Sequence, residues 1–219
     1  MACSAAKIFS VIGIAAFAWG PAWAAPQPSP SPSPAAARAR VLIIGDSITE
    51  GYGLSKAASF PAVLQELLKK HGYSQTDVID AGVAGATSAS GPSSLNWQLR
   101  HGMPKAMILE LGANDGLRGL SPQEMKKNLR ATIEIAKKSG IPVLLVGMKA
   151  PPNYGKDYVN AFDSVFPALA REEKIAWMPF LLAGVAGEPS LNQEDGIHPN
   201  ERGAKRVAKN VFKYLEPLL

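Results

Sequence analysis

At 219 residues and 47% hydrophobic content, the chain is long enough for one ordinary domain with a real core, or one domain plus appendages. The net charge of +5 has the sign of a nucleic-acid binder, but its basic residues are dispersed and mixed with acids, which argues against that class. The only cysteine, Cys3, lies in the N-terminal stretch read below as a signal, so the rest of the chain excludes disulfides, cysteine nucleophiles and cysteine metal sites together.

Lys7 is followed by an apolar run, Ile8 to Gly20, then by Pro21 and Ala22-Trp23-Ala24. A basic start, a short apolar stretch and an A-x-A site predict a secretory signal over residues 1–24. The run is shorter than the roughly 20 apolar residues that a membrane span needs. Residues 25–40 contain Pro28-Ser29-Pro30-Ser31-Pro32-Ser33-Pro34, which reads as an extended, solvated spacer or tail. Residues 41–219 then form the folded domain of an exported protein, periplasmic or secreted.

From Val41 onward short apolar runs alternate with segments of helical period. Strands are expected at Val41–Ile44, Val78–Ile79, Ala106–Leu109 and Val143–Val146, with a weaker one at Ile175–Met178. Helices are expected over Phe60–Lys70, Ser94–Arg100, Pro122–Lys138, Asn160–Glu173 and Glu201–Tyr214. Ser121-Pro122-Gln123-Glu124 carries the start signal of the third of these: a serine cap, proline in the first turn and glutamate three residues on. In the last helix Lys205, Lys209 and Lys213 share one face opposite Val207 and Val211, the pattern of a solvated outer face. Such alternation implies an α/β fold with a parallel sheet covered on both faces. In that architecture sites gather at the carboxyl edge of the sheet, where the strand order reverses.

Each loop at that edge carries a candidate part. Ser47 follows the first strand, where a serine serves as a helix cap or as a nucleophile. Gly82, Gly85 and Gly91 punctuate the loop after the second, either as a flexible connection or as a close backbone approach with an N–H aimed at a developing oxyanion. Gly112-Ala113-Asn114-Asp115 follows the third, and Asn114 reads as a turn residue or an amide donor. His198 has a carboxylate three residues earlier in Asp195-Gly196-Ile197-His198, so Asp195 could fix the imidazole tautomer while the other ring nitrogen faces substrate. His71 and His101 sit at helix ends before glycine and need no further role. Four different chemistries, in four loops that the fold brings together, point to acyl transfer on a serine.

In order and spacing these parts resemble the SGNH or GDSL hydrolases, over about Val41 to the C-terminus. The matching residues are Ser47 in Gly-Asp-Ser-Ile, Gly85 in the second block, Asn114 in Gly-Ala-Asn-Asp and His198 in Asp-Gly-Ile-His. Glu110 to Gly119, Pro152-Asn153-Tyr154-Gly155 and Asn160-Ala161-Phe162 are similar to the bacterial arylesterase, acyl-CoA thioesterase and lysophospholipase group. The resemblance implies a three-layer flavodoxin-like fold with a five-stranded parallel sheet and no metal or organic cofactor. It also implies small-molecule ester or thioester substrates, no nucleic acid, and a reaction that allows transient contact with a membrane surface. The implied roles are Ser47, Asp195 and His198 as the catalytic triad, with Ser47, Gly85 and Asn114 forming the oxyanion hole. Ile48 replaces the usual Leu, Asp80 stands where Asn is usual, and Ala86 where Asp is common; the last two bear on what supports the Gly85 loop. A carbohydrate O-acetyl esterase is the alternative on substrate. An α/β-hydrolase is disfavoured because the chain has no Gly-x-Ser-x-Gly elbow. A phosphate-binding module is disfavoured because Gly51-Tyr52-Gly53 leads to no third glycine and no Gly-Lys-Ser/Thr. The loops expected to wall the pocket are Gly116–Ser121 and Lys149–Tyr158, both mostly apolar, which favours acyl groups longer than acetyl.

Overall fold

The first strand, β1 (Ala39–Gly45), is buried from Val41 onward, with β2 (Thr76–Gly82) on one side and β3 (Ala106–Glu110) on the other. These ranges come from a computed structural model whose described residues are 1–2 and 38–219. The signal expected at residues 1–24 and most of the spacer expected at 25–40 lie outside the described residues. Beyond β3 lie β4 (Val143–Val146) and β5 (Ala176–Met178), giving a parallel five-stranded sheet in the order β2-β1-β3-β4-β5. That is the flavodoxin-like order, in which the winding direction switches between β1 and β3.

Helices α2 (Phe60–Lys70) and α7 (Glu201–Leu215) pack together against one face, while α3 (Gly91–Leu99), α5 (Pro122–Lys138) and α6 (Lys156–Glu173) pack side by side on the other. Every residue of β3 and β4 is buried, as a strand covered on both faces requires. Helix α5 shows how the sequence specifies its elements. Ser121 Oγ accepts the Glu124 N–H at 3.3 Å, Pro122 fills the first turn, and Met125, Leu129, Ile133 and Ala136 form the buried stripe. A cap of that kind contributes about 1 kcal/mol, whereas each fully buried Leu or Ile contributes about 1.5–3 kcal/mol. Packing therefore holds the helix and the cap sets where it starts.

Several boundaries differ from the periodicity. β1 and β2 extend beyond their apolar runs because β2 is an edge strand whose half-exposed Asp77 and Asp80 interrupt the hydrophobic pattern. Helix α3 starts at Gly91, since Pro92 in the first turn breaks no hydrogen bond. Helix α6 starts at Lys156, after Gly155, and carries Pro167 inside it. Two further short helices were not foreseen, α1 (Ser47–Glu50) and α4 (Ala113–Leu117). Among the described residues no helix is long and apolar enough to cross a membrane.

Candidate active site

The sheet register decides which residues meet. Gly45 pairs with Gly82 on one side and with Glu110 on the other, so three neighbouring strands end in one row. Their loops leave the carboxyl edge side by side. Asp46 caps α1 by accepting the Ile48 N–H at 2.9 Å, which makes Ser47 the first helical residue. Gly51, at φ +76°, closes α1 after a single turn. Asn114 is the second residue of α4, immediately beyond β3. The turn holding His198 precedes α7, where Asn200 accepts the N–H groups of Arg202 and Gly203.

Ser47 Oγ lies 2.9 Å from His198 Nε2, and His198 Nδ1 lies 2.7 Å from Asp195 Oδ2. With Nδ1–H donating to the carboxylate, a neutral ring keeps Nε2 free to accept the serine proton. Asp195 Oδ1 also accepts the backbone N–H groups of His198 and Ile197, at 3.0 and 2.9 Å. These bonds, the His198 backbone N–H first, hold its carboxyl down to about pH 2, so it stays ionised wherever the imidazole works. The Tyr52 ring stands 4.8 Å from the imidazole, and Gln193 Nε2 donates to the carbonyls of Tyr52 and Pro199, joining the two loops.

Ser47, Gly85, Asn114 and His198 line one cleft of about 230 Å³, with Ile48, Tyr52, Ala84, Ala113, Leu117 and Ile197 as its apolar walls. Asn114 Nδ2 donates to the Ala86 carbonyl at 2.9 Å and to Asp46 Oδ2 at 3.3 Å. Both unusual residues of the second block thus have visible partners. Asp80 Oδ1 accepts the Gly82 N–H at 2.9 Å, and Ala86 contributes its carbonyl where a side chain is lacking. Leu117 from the Gly116–Ser121 loop lines the cleft. The Lys149–Tyr158 loop is not part of that lining; it braces the first loop, because Tyr154 and Tyr158 donate to the carbonyls of Leu117 and Leu120, each at 2.8 Å.

Four supporting acids and walls escaped the sequence reading. Glu110, fully buried at the end of β3, accepts the Asp46 N–H at 3.1 Å and the Thr49 hydroxyl at 2.5 Å. Burial drives its carboxyl well above the ordinary range, and the Asp46 charge adds to that. Burial likewise pushes Asp46 up to about 6. Asp115 accepts both the N–H and the hydroxyl of Ser88, fixing the far end of the second loop. Ile197 supplies a wall merely by standing beside His198. Only Glu110 had a sequence signal, as a lone acid in the buried run Ala106 to Leu111. Among the described residues no three His, Cys, Asp or Glu side chains gather as metal ligands.

Residues 43–206, which include all of these positions, match the GDSL-like lipase/acylhydrolase family. The chain belongs to that family. Among its relatives, the esterase TesA of Pseudomonas aeruginosa is 41% identical over 179 residues, 82% of this chain and 89% of the relative. Thioesterase 1/protease 1/lysophospholipase L1 of Escherichia coli strain K12 is 37% identical, over 82% of this chain and 84% of its own length. The crystal structure of TesA superposes with a TM-score of 0.78 at 41% identity, covering 82% of this chain and 99% of that one. The match to the GDSL-like family spans β1 to α7, the sheet together with all four loops that meet at its edge.

Proposed function

We propose that this GDSL-family protein is an exported serine esterase that hydrolyses carboxylic esters or thioesters through an acyl-serine intermediate. The observation that carries this reading is the unbroken hydrogen-bonded chain Ser47–His198–Asp195 opening into the cleft that Gly85 and Asn114 also line. Ser47 Oγ attacks the acyl carbonyl carbon as its proton passes to His198 Nε2. The carbonyl oxygen becomes an oxyanion, and the Ser47 and Gly85 N–H groups and the Asn114 amide receive it. Collapse breaks the bond to the leaving alcohol or thiol, which takes the proton from His198. Water then repeats the sequence on the acyl-serine, releasing the acid and restoring Ser47. Asp195 stays ionised throughout, orienting the ring and stabilising the imidazolium.

The names of the relatives, esterase and thioesterase/lysophospholipase, support ester and thioester substrates, and the signal-like first 24 residues support export to the periplasm or beyond. Residues 41–219 act as the enzymatic domain. The apolar walls at Leu117, Ile197 and Ile48 favour an acyl chain, since each buried methylene contributes about 0.8 kcal/mol. On p-nitrophenyl esters kcat/KM should therefore climb from acetate to butyrate or hexanoate and exceed that on acetylated sugars. A steady fall from acetate, with efficient deacetylation of xylan or pectin, would instead make the protein a carbohydrate O-acetyl esterase working with the same triad.

A further inference from the structure

Besides Asn114, which holds the Ala86 carbonyl, two further side chains outside the proton-transfer chain converge on the turn that carries Gly85. The turn runs from Val83 to Ala86 and is closed by the Ala86 N–H donating to the Val83 carbonyl at 3.0 Å. Gly85 occupies its third position with φ +76°, the geometry for which a type II turn needs glycine. Type I and type II turns differ by a flip of the central peptide, here Ala84–Gly85. That flip reverses the direction of the Gly85 N–H, the donor that the esterase reading assigns to the oxyanion.

The peptides on either side of the central one are both gripped. Glu50 Oε2 accepts the Ala84 N–H at 2.8 Å, and Arg118 Nη2 donates to the Gly85 carbonyl at 3.0 Å. Glu50 stands three residues after Ser47 in α1, and Arg118 four residues after Asn114 at the end of α4. At those spacings two side chains share a helix face. Each short helix that carries a site residue thus sends a second side chain to the same turn. Gly82 keeps the approach open, because a Cβ there would collide with the Glu50 backbone nitrogen. Neither Glu50 nor Arg118 lines the cleft.

We propose that Glu50 and Arg118 are positioning residues that lock the Val83–Ala86 turn with the Gly85 N–H aimed into the cleft. They tie the three oxyanion donors, on α1, on the turn and on α4, into one unit before substrate arrives. This rests on the esterase reading of the site for its effect on turnover, though not for its effect on the turn. The test compares the full chain with Glu50→Ala, Glu50→Gln, Arg118→Ala and Arg118→Lys. Backbone hydrogen exchange over residues 83–86 and kcat and KM on p-nitrophenyl butyrate are measured for each, with melting temperatures alongside.

Both alanine variants should exchange faster at the turn, with β3 and β4 unchanged. Each should lose roughly tenfold in kcat with KM held within about twofold, the scale of one hydrogen bond. Glu50→Gln should restore both readouts, because its amide oxygen can accept the same N–H, and Arg118→Lys should restore them in part. Unchanged exchange in both alanine variants would overturn the lock. So would a Glu50→Gln protein as impaired as Glu50→Ala, or a loss of activity that merely follows the folded fraction. If the wild type hydrolysed no ester while exchange responded as expected, the esterase reading would fall and the lock would stand.

Discussion

Asn114 illustrates how one side chain serves two demands. Its amide makes a short bond to the Ala86 carbonyl and a long one, 3.3 Å, to Asp46 Oδ2. The short bond holds the amide in place, and the long one is the bond that an oxyanion would displace. Asn114→Ala is therefore expected to fold normally and lose about 10²–10³ in kcat, the usual effect of deleting one oxyanion donor. A melting curve together with kcat on p-nitrophenyl butyrate checks this. Lowered stability with undiminished kcat per folded molecule would make Asn114 a turn residue only. The candidate residues Ser47, Asn114, Asp195 and His198 were legible in the sequence because each stands in a short motif just after a strand or just before the last helix, with a functional group suited to acyl transfer. The supporting parts of Asp46, Glu110 and Asp115 were not, because they rest on contacts distant in sequence: Glu110 with the Asp46 N–H and the Thr49 hydroxyl, Asp115 with Ser88, and Asp46 with the Asn114 amide.

At the scale of elements, the ends of β1 and β3 bury two carboxyls side by side, with His198 and Asp115 also near enough to act on Asp46. An acid whose folded pKa is raised keeps its proton longer in the native state than in the unfolded chain. Asp46, raised from 3.8 to about 6, therefore makes stability fall as pH rises across that window, and Glu110 extends the fall upward. Asp195 acts in the opposite sense: its stabilisation is present above 3.8 and fades only as pH drops toward 2. The melting temperature should accordingly be higher near pH 4.5 than near pH 7.5. Asp46→Asn, which keeps one of its two acceptor oxygens, and Glu110→Gln, which keeps the single oxygen that accepts from Asp46 and Thr49, should flatten that slope. Melts across this range decide it, and a wild-type melting temperature that climbs steadily from pH 4.5 to 7.5 would contradict it. The strands were legible as short continuous apolar runs, the form a strand covered on both faces takes, and the long helices by the period of their buried stripe. Helices α1 and α4 were not: four and five residues are too few to show a period, and caps and loop packing define them.

For the whole molecule, the strand order places β1 between β2 and β3, and the common end row of Gly45, Gly82 and Glu110 delivers three loops to one point. The fourth part arrives from the far end of the chain, where α7 packs on α2 and carries the His198 turn to the same edge. Nothing local in Asp195–His198 reveals that it faces Ser47, 151 positions away in sequence; the winding of the sheet does. The most direct test is the esterase turnover of Ser47→Ala. Removing one small, half-exposed hydroxyl should leave the melting temperature unchanged and cost about 10⁶ in turnover, as loss of a triad serine does. A Ser47→Ala protein that melts like the wild type and still hydrolyses esters would contradict the serine mechanism.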